Sequence, residues 1–182
     1  KSKRNLTIEQ AKEIMQALDP SIKKTAVVVK PSIEQIRQIE AAGFDYIQIH
    51  GMIDPALFSQ IRLPILKAFN VKDMDTIADY RLDKNVAGYV FDAHEPGSGK
   101  SFDWSMLSDI PRDNKLFFLA GGISADNVKE AIKKLSPDGI DVSTGVEYNA
   151  SNKTGKDPQK IEEFVRIIRT EQKTYNRFSF YK

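Results

Sequence analysis

Residues 115–146 read KLFFLAGGISADNVKEAIKKLSPDGIDVSTGV, and they are the most informative segment about the fold. It holds two short apolar runs, residues 115–120 and 138–142, on either side of a segment whose apolar residues recur every three or four positions. Short apolar runs are typical of buried parallel strands, and the longer period is typical of an amphipathic helix. The stretch therefore predicts a strand, a helix that begins at Ser124, and a second strand.

The same alternation continues towards the N-terminus. Amphipathic segments separate four more short apolar runs, which are residues 25–30, 45–50, 64–68 and 87–91. Thr7 and Ser32 each open a capping box, in which a hydroxyl and a glutamine side chain satisfy backbone N–H groups at a helix start. Strands that alternate strictly with helices predict an α/β fold with a parallel sheet. No linker rich in Gly, Pro or Ser divides residues 1–182, so we expect a single domain.

Six strands fit either a doubly wound sheet or a barrel. No G-x-G-x-x-G motif follows the first strand, which weakens the case for a dinucleotide-binding doubly wound fold. The sequence also opens with a loop and a helix rather than a strand. One further β-α-β unit of roughly 30 residues would complete eight strands at a length of about 210 residues, within the range of small barrels. We therefore expect a (β/α)8 TIM barrel whose strands 1 and 2 and helix 1 are absent from the 182 residues.

Composition and charge narrow the functional classes. The net charge of +2 gives no argument for a nucleic-acid partner. The chain has no cysteine, which excludes disulfides and thiolate metal sites within it and fits a reducing compartment. No apolar run approaches the roughly 18 residues that span a bilayer. We therefore expect a cytoplasmic protein with neither a membrane nor a nucleic-acid partner.

Two loops that contain glycine follow the last two predicted strands. Gly121 and Gly122 come after one strand, and Ser143, Thr144 and Gly145 come after the next. If the absent unit supplies two strands, these are the loops after barrel strands 7 and 8, where phosphate sites are common. Glycine lets backbone N–H groups approach phosphate oxygens, and hydroxyls add donors. Taken singly, the first motif is an ordinary turn and the second a cap, but together they favour a phosphate site.

Asp92 ends the fourth predicted strand, on the face where barrel enzymes carry their chemistry. A carboxyl that is partly withdrawn from water keeps its proton more readily, so Asp92 is a candidate general acid. An aspartate that caps the following loop is an equally good interpretation from position alone. The loop itself, residues 94–100, is rich in glycine but lacks the spacing of a P-loop.

Three further polar residues are candidates for substrate contact. Gln48 and His50 alternate along one strand and so share a face, which in a barrel is the interior. A buried, hydrogen-bonded pair is the better interpretation for His50. Arg4 precedes the first helix and is suited to bind a carboxylate through two parallel hydrogen bonds, although it also fits a solvated chain end. The two histidines have no ligand spacing, so we expect no metal site.

Together these segments resemble the phosphoribosylanthranilate isomerases of tryptophan biosynthesis. The resemblance runs from the first residue to about Arg169, and two of its motifs, GSGKSFDW and DVSTGVE, are specific to that family. The Gly-Gly pair is shared with many barrels. The matching segments are residues 1–4 (KSKR), 44–51 (FDYIQIHG), 91–93 (FDA), 97–104 (GSGKSFDW), 119–123 (LAGGI) and 141–147 (DVSTGVE).

The resemblance implies an Amadori rearrangement, in which N-(5-phosphoribosyl)anthranilate becomes 1-(2-carboxyphenylamino)-1-deoxyribulose 5-phosphate. Such an enzyme is an aldose–ketose isomerase, an intramolecular oxidoreductase that needs no metal or organic cofactor and occurs as a monomer or homodimer. Asp92 matches the general acid, Arg4 matches the residue that holds the anthranilate carboxylate, and Gln48 matches a polar residue lining the site. The phosphate-binding loops match Gly121, Gly122, Ser143, Thr144 and Gly145.

One family feature has no counterpart among the 182 residues. The general base of the family is a cysteine in a Lys-x-Cys-Gly motif near the N-terminus, and this chain has no cysteine. We expect that motif upstream of Lys1. The alternative is a catalytically inactive barrel that binds a phosphorylated ligand or a partner chain. Another phosphosugar barrel, such as indole-glycerol-phosphate synthase, fits less well, because Lys67 has no accompanying set of strand-borne glutamates.

Overall fold

The structure is a computed structural model that describes residues 5–92, 104–110, 112–149 and 153–175. Six strands form one sheet in the order β1-β2-β3-β4-β5-β6. β1 pairs with β2, β2 with β3 and β5 with β6, each in parallel register. The strands are β1 (Thr25–Val29), β2 (Tyr46–His50), β3 (Ile65–Asn70), β4 (Val86–Asp92), β5 (Leu116–Ala120) and β6 (Gly139–Ile140).

Helical segments separate the strands. Two 3₁₀ segments, Val71–Ile77 and Thr144–Val146, accompany the α-helices. The α-helices are α1 (Ile8–Gln16), α2 (Ile33–Ala42), α3 (Pro55–Phe58), α4 (Ala78–Arg81), α5 (Ser105–Ser108), α6 (Val128–Leu135) and α7 (Pro158–Tyr175). Both predicted capping boxes are present. The hydroxyls of Thr7 and Ser32 each accept from the backbone N–H of a glutamine three residues on, and the side-chain oxygen of that glutamine accepts from the backbone N–H of the capping residue.

The strand order decides between the two folds that the sequence left open. A doubly wound sheet reverses its strand order at a switch point, as in 3-2-1-4-5-6. Here every strand lies beside the next one in the chain, from β1 to β6. That order is the one a barrel requires. The α/β class with a parallel sheet, predicted from the alternation of apolar runs and amphipathic segments, is confirmed.

Two boundaries differ from the sequence predictions. α6 begins at Val128 rather than Ser124, because Ser124 starts a turn: its hydroxyl accepts from the N–H of Asp126 (3.3 Å) and its carbonyl accepts from the N–H of Val128 (3.0 Å). β6 is shorter than its apolar run. Its pairing nevertheless extends one residue further, since the N–H of Asp141 donates to the carbonyl of Leu119 at 2.8 Å.

The chain divides into two compact units. The first comprises Lys1–Phe69 and Thr76–Tyr89, and the second comprises Asn70–Asp75 and Val90–Lys182. Ile36 of α2, Ile47 and Ile49 of β2 and Ile65 of β3 are fully buried in the first unit. Tyr80 there makes edge-on contacts with Phe58 and Phe69. In the second unit the buried residues include Phe91, Phe117, Leu119, Val128 and Phe164.

Asp45, at the start of β2, stabilises the first unit through its charge. The backbone N–H of Lys24 (2.8 Å) and the ammonium of Lys23 (3.1 Å) donate to its carboxylate and hold the pKa of Asp45 at about 2, below the ordinary 3.8. A group whose pKa is lowered by folding contributes stability above its unfolded pKa and loses it as the pH falls towards the folded pKa. This contribution is therefore complete above about pH 5 and declines towards pH 2.

The Asp45→Asn variant removes that charge. We expect it to be less stable than the original chain by roughly 1–2 kcal/mol at pH 6, a figure that allows for the partly exposed side chain. Urea unfolding at pH 6 and at pH 3 measures the difference. It should narrow at pH 3, and a difference that stayed constant with pH would show that the charge of Asp45 is not the cause.

Candidate active site

The loop after β5 turns at two glycines. Gly121 and Gly122 have φ angles of 80° and 65°, both in the left-handed region. A side chain is strained there, whereas glycine adopts the conformation freely. Ile123 follows and is buried, which anchors the end of the turn. The backbone itself therefore requires the glycine pair that the sequence singled out.

Asn127 braces this turn, and sequence reasoning missed it. Its side-chain nitrogen donates to the carbonyl of Gly122 (2.9 Å), and its side-chain oxygen accepts from the backbone N–H of Ser124 (2.9 Å). One amide group thus fixes both ends of the segment from Gly122 to Ser124. The available signal was an asparagine directly before the helix, a position that asparagine favours.

The loop after β6 is a short 3₁₀ turn. Ser143 precedes the segment Thr144–Val146, and the N–H of Glu147 donates to the carbonyl of Thr144 at 3.0 Å. Val146 is buried and holds the turn against the body of the second unit. Ser143 does not cap the turn with its side chain. Its hydroxyl is engaged by a lysine instead.

Gly145 brings the two loops into backbone contact. A Cβ built on Gly145 would lie 2.0 Å from the carbonyl oxygen of Ile123 and 3.0 Å from the Cα of Ser124. Real Cβ atoms do not approach a backbone so closely. The turn after β6 therefore packs directly on the turn after β5, so the structure brings together the two motifs that the sequence predicted to act together.

Two lysines tie down the segment after β6, and neither was singled out from the sequence. Lys156 donates to the carbonyl of Ser143 (2.7 Å), to the hydroxyl of Ser143 (3.0 Å) and to the carboxylate of Glu147 (2.9 Å). Lys160 donates to the carbonyl of Glu147 (2.7 Å) and to the side chain of Asn149 (2.8 Å). The bonded residues lie 9 to 13 positions apart in the chain, so no local sequence pattern predicts these contacts.

Asp92 is the last residue of β4 and is half-buried. β4, β5 and β6 are consecutive in the sheet, so the carboxyl ends of these strands lie along one edge. Asp92, Gly121 and Ser143 each lie at or just beyond such an end within the second unit. The predicted position of Asp92 at a strand end is confirmed.

Gln48 and His50 form a hydrogen-bonded pair in the first unit. The side-chain nitrogen of Gln48 lies 3.1 Å from Nε2 of His50, and Gln48 is buried. The two side chains therefore share a hydrogen bond on one face of β2. The shared face predicted from alternation is confirmed, and so is the interpretation of His50 as a hydrogen-bonded side chain.

Some predicted features lie outside the described residues. These are Arg4 and the glycine-rich loop at residues 94–100. Within the part of the chain that the structure describes, no three His, Asp or Glu side chains converge as a metal site would require.

Comparison with known proteins agrees with the strand order. Residues 1–167 match the family described as N-(5'phosphoribosyl)anthranilate (PRA) isomerase. This chain belongs to that family. An N-(5'-phosphoribosyl)anthranilate isomerase from Listeria welshimeri is 40% identical over 174 residues, which cover 93% of this chain and 84% of the relative. The family resemblance stated from the sequence is therefore confirmed, and the chain is an isomerase of tryptophan biosynthesis.

Solved structures of the family share the fold. The phosphoribosylanthranilate isomerase from Thermotoga maritima has a TM-score of 0.79 at 31% identity, covering 93% of this chain and 84% of that one. An isomerase in complex with reduced 1-(o-carboxyphenylamino)-1-deoxyribulose 5-phosphate has a TM-score of 0.73 at 28% identity, with coverages of 93% and 83%. Monomers made from the dimeric Thermotoga maritima enzyme score 0.69 at 27% identity, with coverages of 91% and 81%. The fold is thus that of a TIM barrel, as predicted.

Proposed function

We propose that the contacting loops after β5 and β6 bind the phosphate of N-(5-phosphoribosyl)anthranilate while Asp92 acts as general acid. The observation that carries this proposal is the backbone contact at Gly145, which joins the two loops at the strand edge where β4 delivers Asp92. Gly121 and Gly122 leave the first loop without side chains, and Ser143 and Thr144 add hydroxyl donors. Such a site recognises a phosphate monoester.

The reaction proceeds by proton transfers alone. Asp92 protonates the ribose ring oxygen, the bond from C1′ to that oxygen breaks, and the ring opens to an imine. A base then removes the proton from C2′, which gives an enolamine that tautomerises to the ketone. No electron leaves the substrate, so the chemistry asks for no redox cofactor or metal. The family resemblance assigns the base to a cysteine, which is not among these 182 residues.

The anthranilate end of the substrate carries a carboxylate. By resemblance to the family, Arg4 binds that carboxylate and Gln48 lines the substrate site. The pairing of Gln48 with His50 supports this role for Gln48, because it leaves the amide oxygen to accept a hydrogen bond. We further propose a cytoplasmic enzyme, monomeric or homodimeric; the dimeric Thermotoga maritima relative supports the second form. Among the helices described, none is both long and apolar enough to cross a membrane.

Replacing Arg4 with alanine in a protein that includes the cysteine base tests the carboxylate assignment. We expect KM to rise about 10- to 100-fold, the equivalent of one charge-assisted hydrogen bond, while kcat changes less. Steady-state kinetics with the phosphoribosyl substrate measure both constants, and Lys12→Ala on α1 is a charge-matched control. An unchanged KM would remove Arg4 from substrate binding.

A second candidate is a barrel that binds a phosphorylated ligand without turning it over. Two measurements separate the candidates when they are made on the protein together with any residues that precede Lys1. A turnover assay with N-(5-phosphoribosyl)anthranilate detects the isomerase, and a titration with inorganic phosphate detects the binding site. Turnover that survives dialysis against a chelator supports the cofactor-independent isomerase. Phosphate binding without turnover supports the binding protein. The absence of both turnover and phosphate binding would contradict the phosphate site.

A further inference from the structure

We propose that Lys156 is a positioning residue of the phosphate site, which holds the Ser143 hydroxyl so that its proton is free for a phosphate oxygen. This inference rests on the phosphate site proposed above and adds a residue that touches no substrate. Lys156 would act through Ser143 alone.

The hydrogen bonds of Lys156 orient the hydroxyl proton of Ser143. A lysine ammonium has three protons and accepts nothing. Those of Lys156 are used by the carbonyl of Ser143, the hydroxyl of Ser143 and the carboxylate of Glu147. Because the hydroxyl oxygen accepts from the ammonium, its own proton must point away from Lys156. An adjacent positive charge also makes that O–H a stronger donor.

The backbone around Lys156 is fixed on both sides. Lys156 forms an antiparallel bridge with Glu147, and the N–H of Asp157 donates to the carbonyl of Val146 at 2.8 Å. The N–H of Tyr148 donates to the carbonyl of Gly155 at 3.3 Å. These bonds return the chain to the base of the loop after β6, so the Lys156 side chain has little distance to cover and loses little freedom when it binds Ser143.

The charge of Lys156 is already balanced. Glu147 accepts from the ammonium at 2.9 Å, and both side chains are about one-third exposed. A balanced, partly exposed charge contributes little long-range attraction for an anion. The orientation of Ser143 is therefore the route by which Lys156 affects phosphate. This distinguishes a positioning role from simple attraction, and the two predict different results in a double variant.

The test is a titration with inorganic phosphate of the full 182-residue chain and four variants. They are Lys156→Met, Ser143→Ala, the double variant and Lys153→Met, a control that removes the same charge nearby, where Lys153 lies against the Tyr148 ring and not Ser143. We expect Lys156→Met to weaken phosphate binding about tenfold, as the loss of one charge-assisted hydrogen bond would. Lys153→Met should change it less than twofold. Lys156→Met should add less than a twofold loss once Ser143 is alanine.

Each other result overturns the inference in a distinct way. Unchanged binding in Lys156→Met contradicts any role for Lys156. An equal loss with and without the Ser143 hydroxyl would show that the lysine acts by charge. Failure of the original chain to bind phosphate would remove the phosphate site itself, and the inference with it. Lys156→Arg keeps the positive charge and hydrogen-bond donors, so its phosphate affinity should lie within threefold of that of the original chain. This variant replaces Lys156→Met in the titration if Lys156→Met does not fold.

Discussion

In a protein that includes the cysteine base, the Asp92→Asn variant is expected to lose most turnover, with kcat lower by about 10²- to 10⁴-fold. Asparagine has nearly the shape of aspartate but cannot give a proton to the ribose ring oxygen. Ring opening then proceeds without its acid, while the loops after β5 and β6 are untouched. Phosphate affinity and the urea midpoint should therefore stay close to those of the original chain. Steady-state kinetics and a phosphate titration measure the two effects separately.

The control for this variant is Asp79→Asn, which removes one exposed carboxylate from α4. It should leave kcat unchanged, so that a general effect of net charge is separated from the loss of an acid. Near-normal turnover in Asp92→Asn would remove Asp92 from the acid role. A parallel loss of phosphate binding would mean that Asp92 instead caps or supports the loop, which is the other interpretation that its position allows.

The sequence predicts the strands well because buried parallel strands are apolar on both faces. Each of the six apolar runs overlaps a strand, and Thr7 and Ser32 cap helices as their spacing indicates. Short sequence motifs predict a boundary less well where the same residue can begin either a turn or a helix. Ser124 carries a helix-start signal, but its hydroxyl and carbonyl serve a turn, and Asn127 becomes the residue before the helix.

The residues that support the site are harder to predict than those that form it. Glycine is the residue that adopts a positive φ without strain, so the pair Gly121 and Gly122 predicts a left-handed turn in the backbone. Both φ angles are positive in the structure. Lysine is common on any surface, and Lys156 differs from its neighbours only through contacts with Ser143 and Glu147 that folding creates. Gly145 is predicted from the sequence as a residue of the phosphate loop, but its need for space is visible only in the structure, because it depends on the position of Ile123.

The Gly145→Ala variant is expected to open the phosphate site. The new methyl carbon would start 2.0 Å from the carbonyl oxygen of Ile123, and that oxygen belongs to the backbone and cannot rotate away. The loop after β6 must move outward, which separates Ser143 and Thr144 from the glycine turn. We expect phosphate binding to weaken at least tenfold and KM to rise by a similar factor. Stability should also fall, by about 1–3 kcal/mol, as is usual when a packed site is overfilled.

Gly43→Ala separates the two consequences. Gly43 ends α2 with a φ of 88°, and no atom lies within 4 Å of a Cβ built there. Alanine at this position should cost about 1 kcal/mol of stability through its backbone conformation alone and leave phosphate affinity unchanged. Gly145→Ala should lower both. If it lost stability but still bound phosphate like the original chain, the contact between the loops would be a packing feature, and the anion would have to bind elsewhere. If it lost affinity beyond what Gly43→Ala shows at equal stability, the joined loops are the anchor for the ribose phosphate.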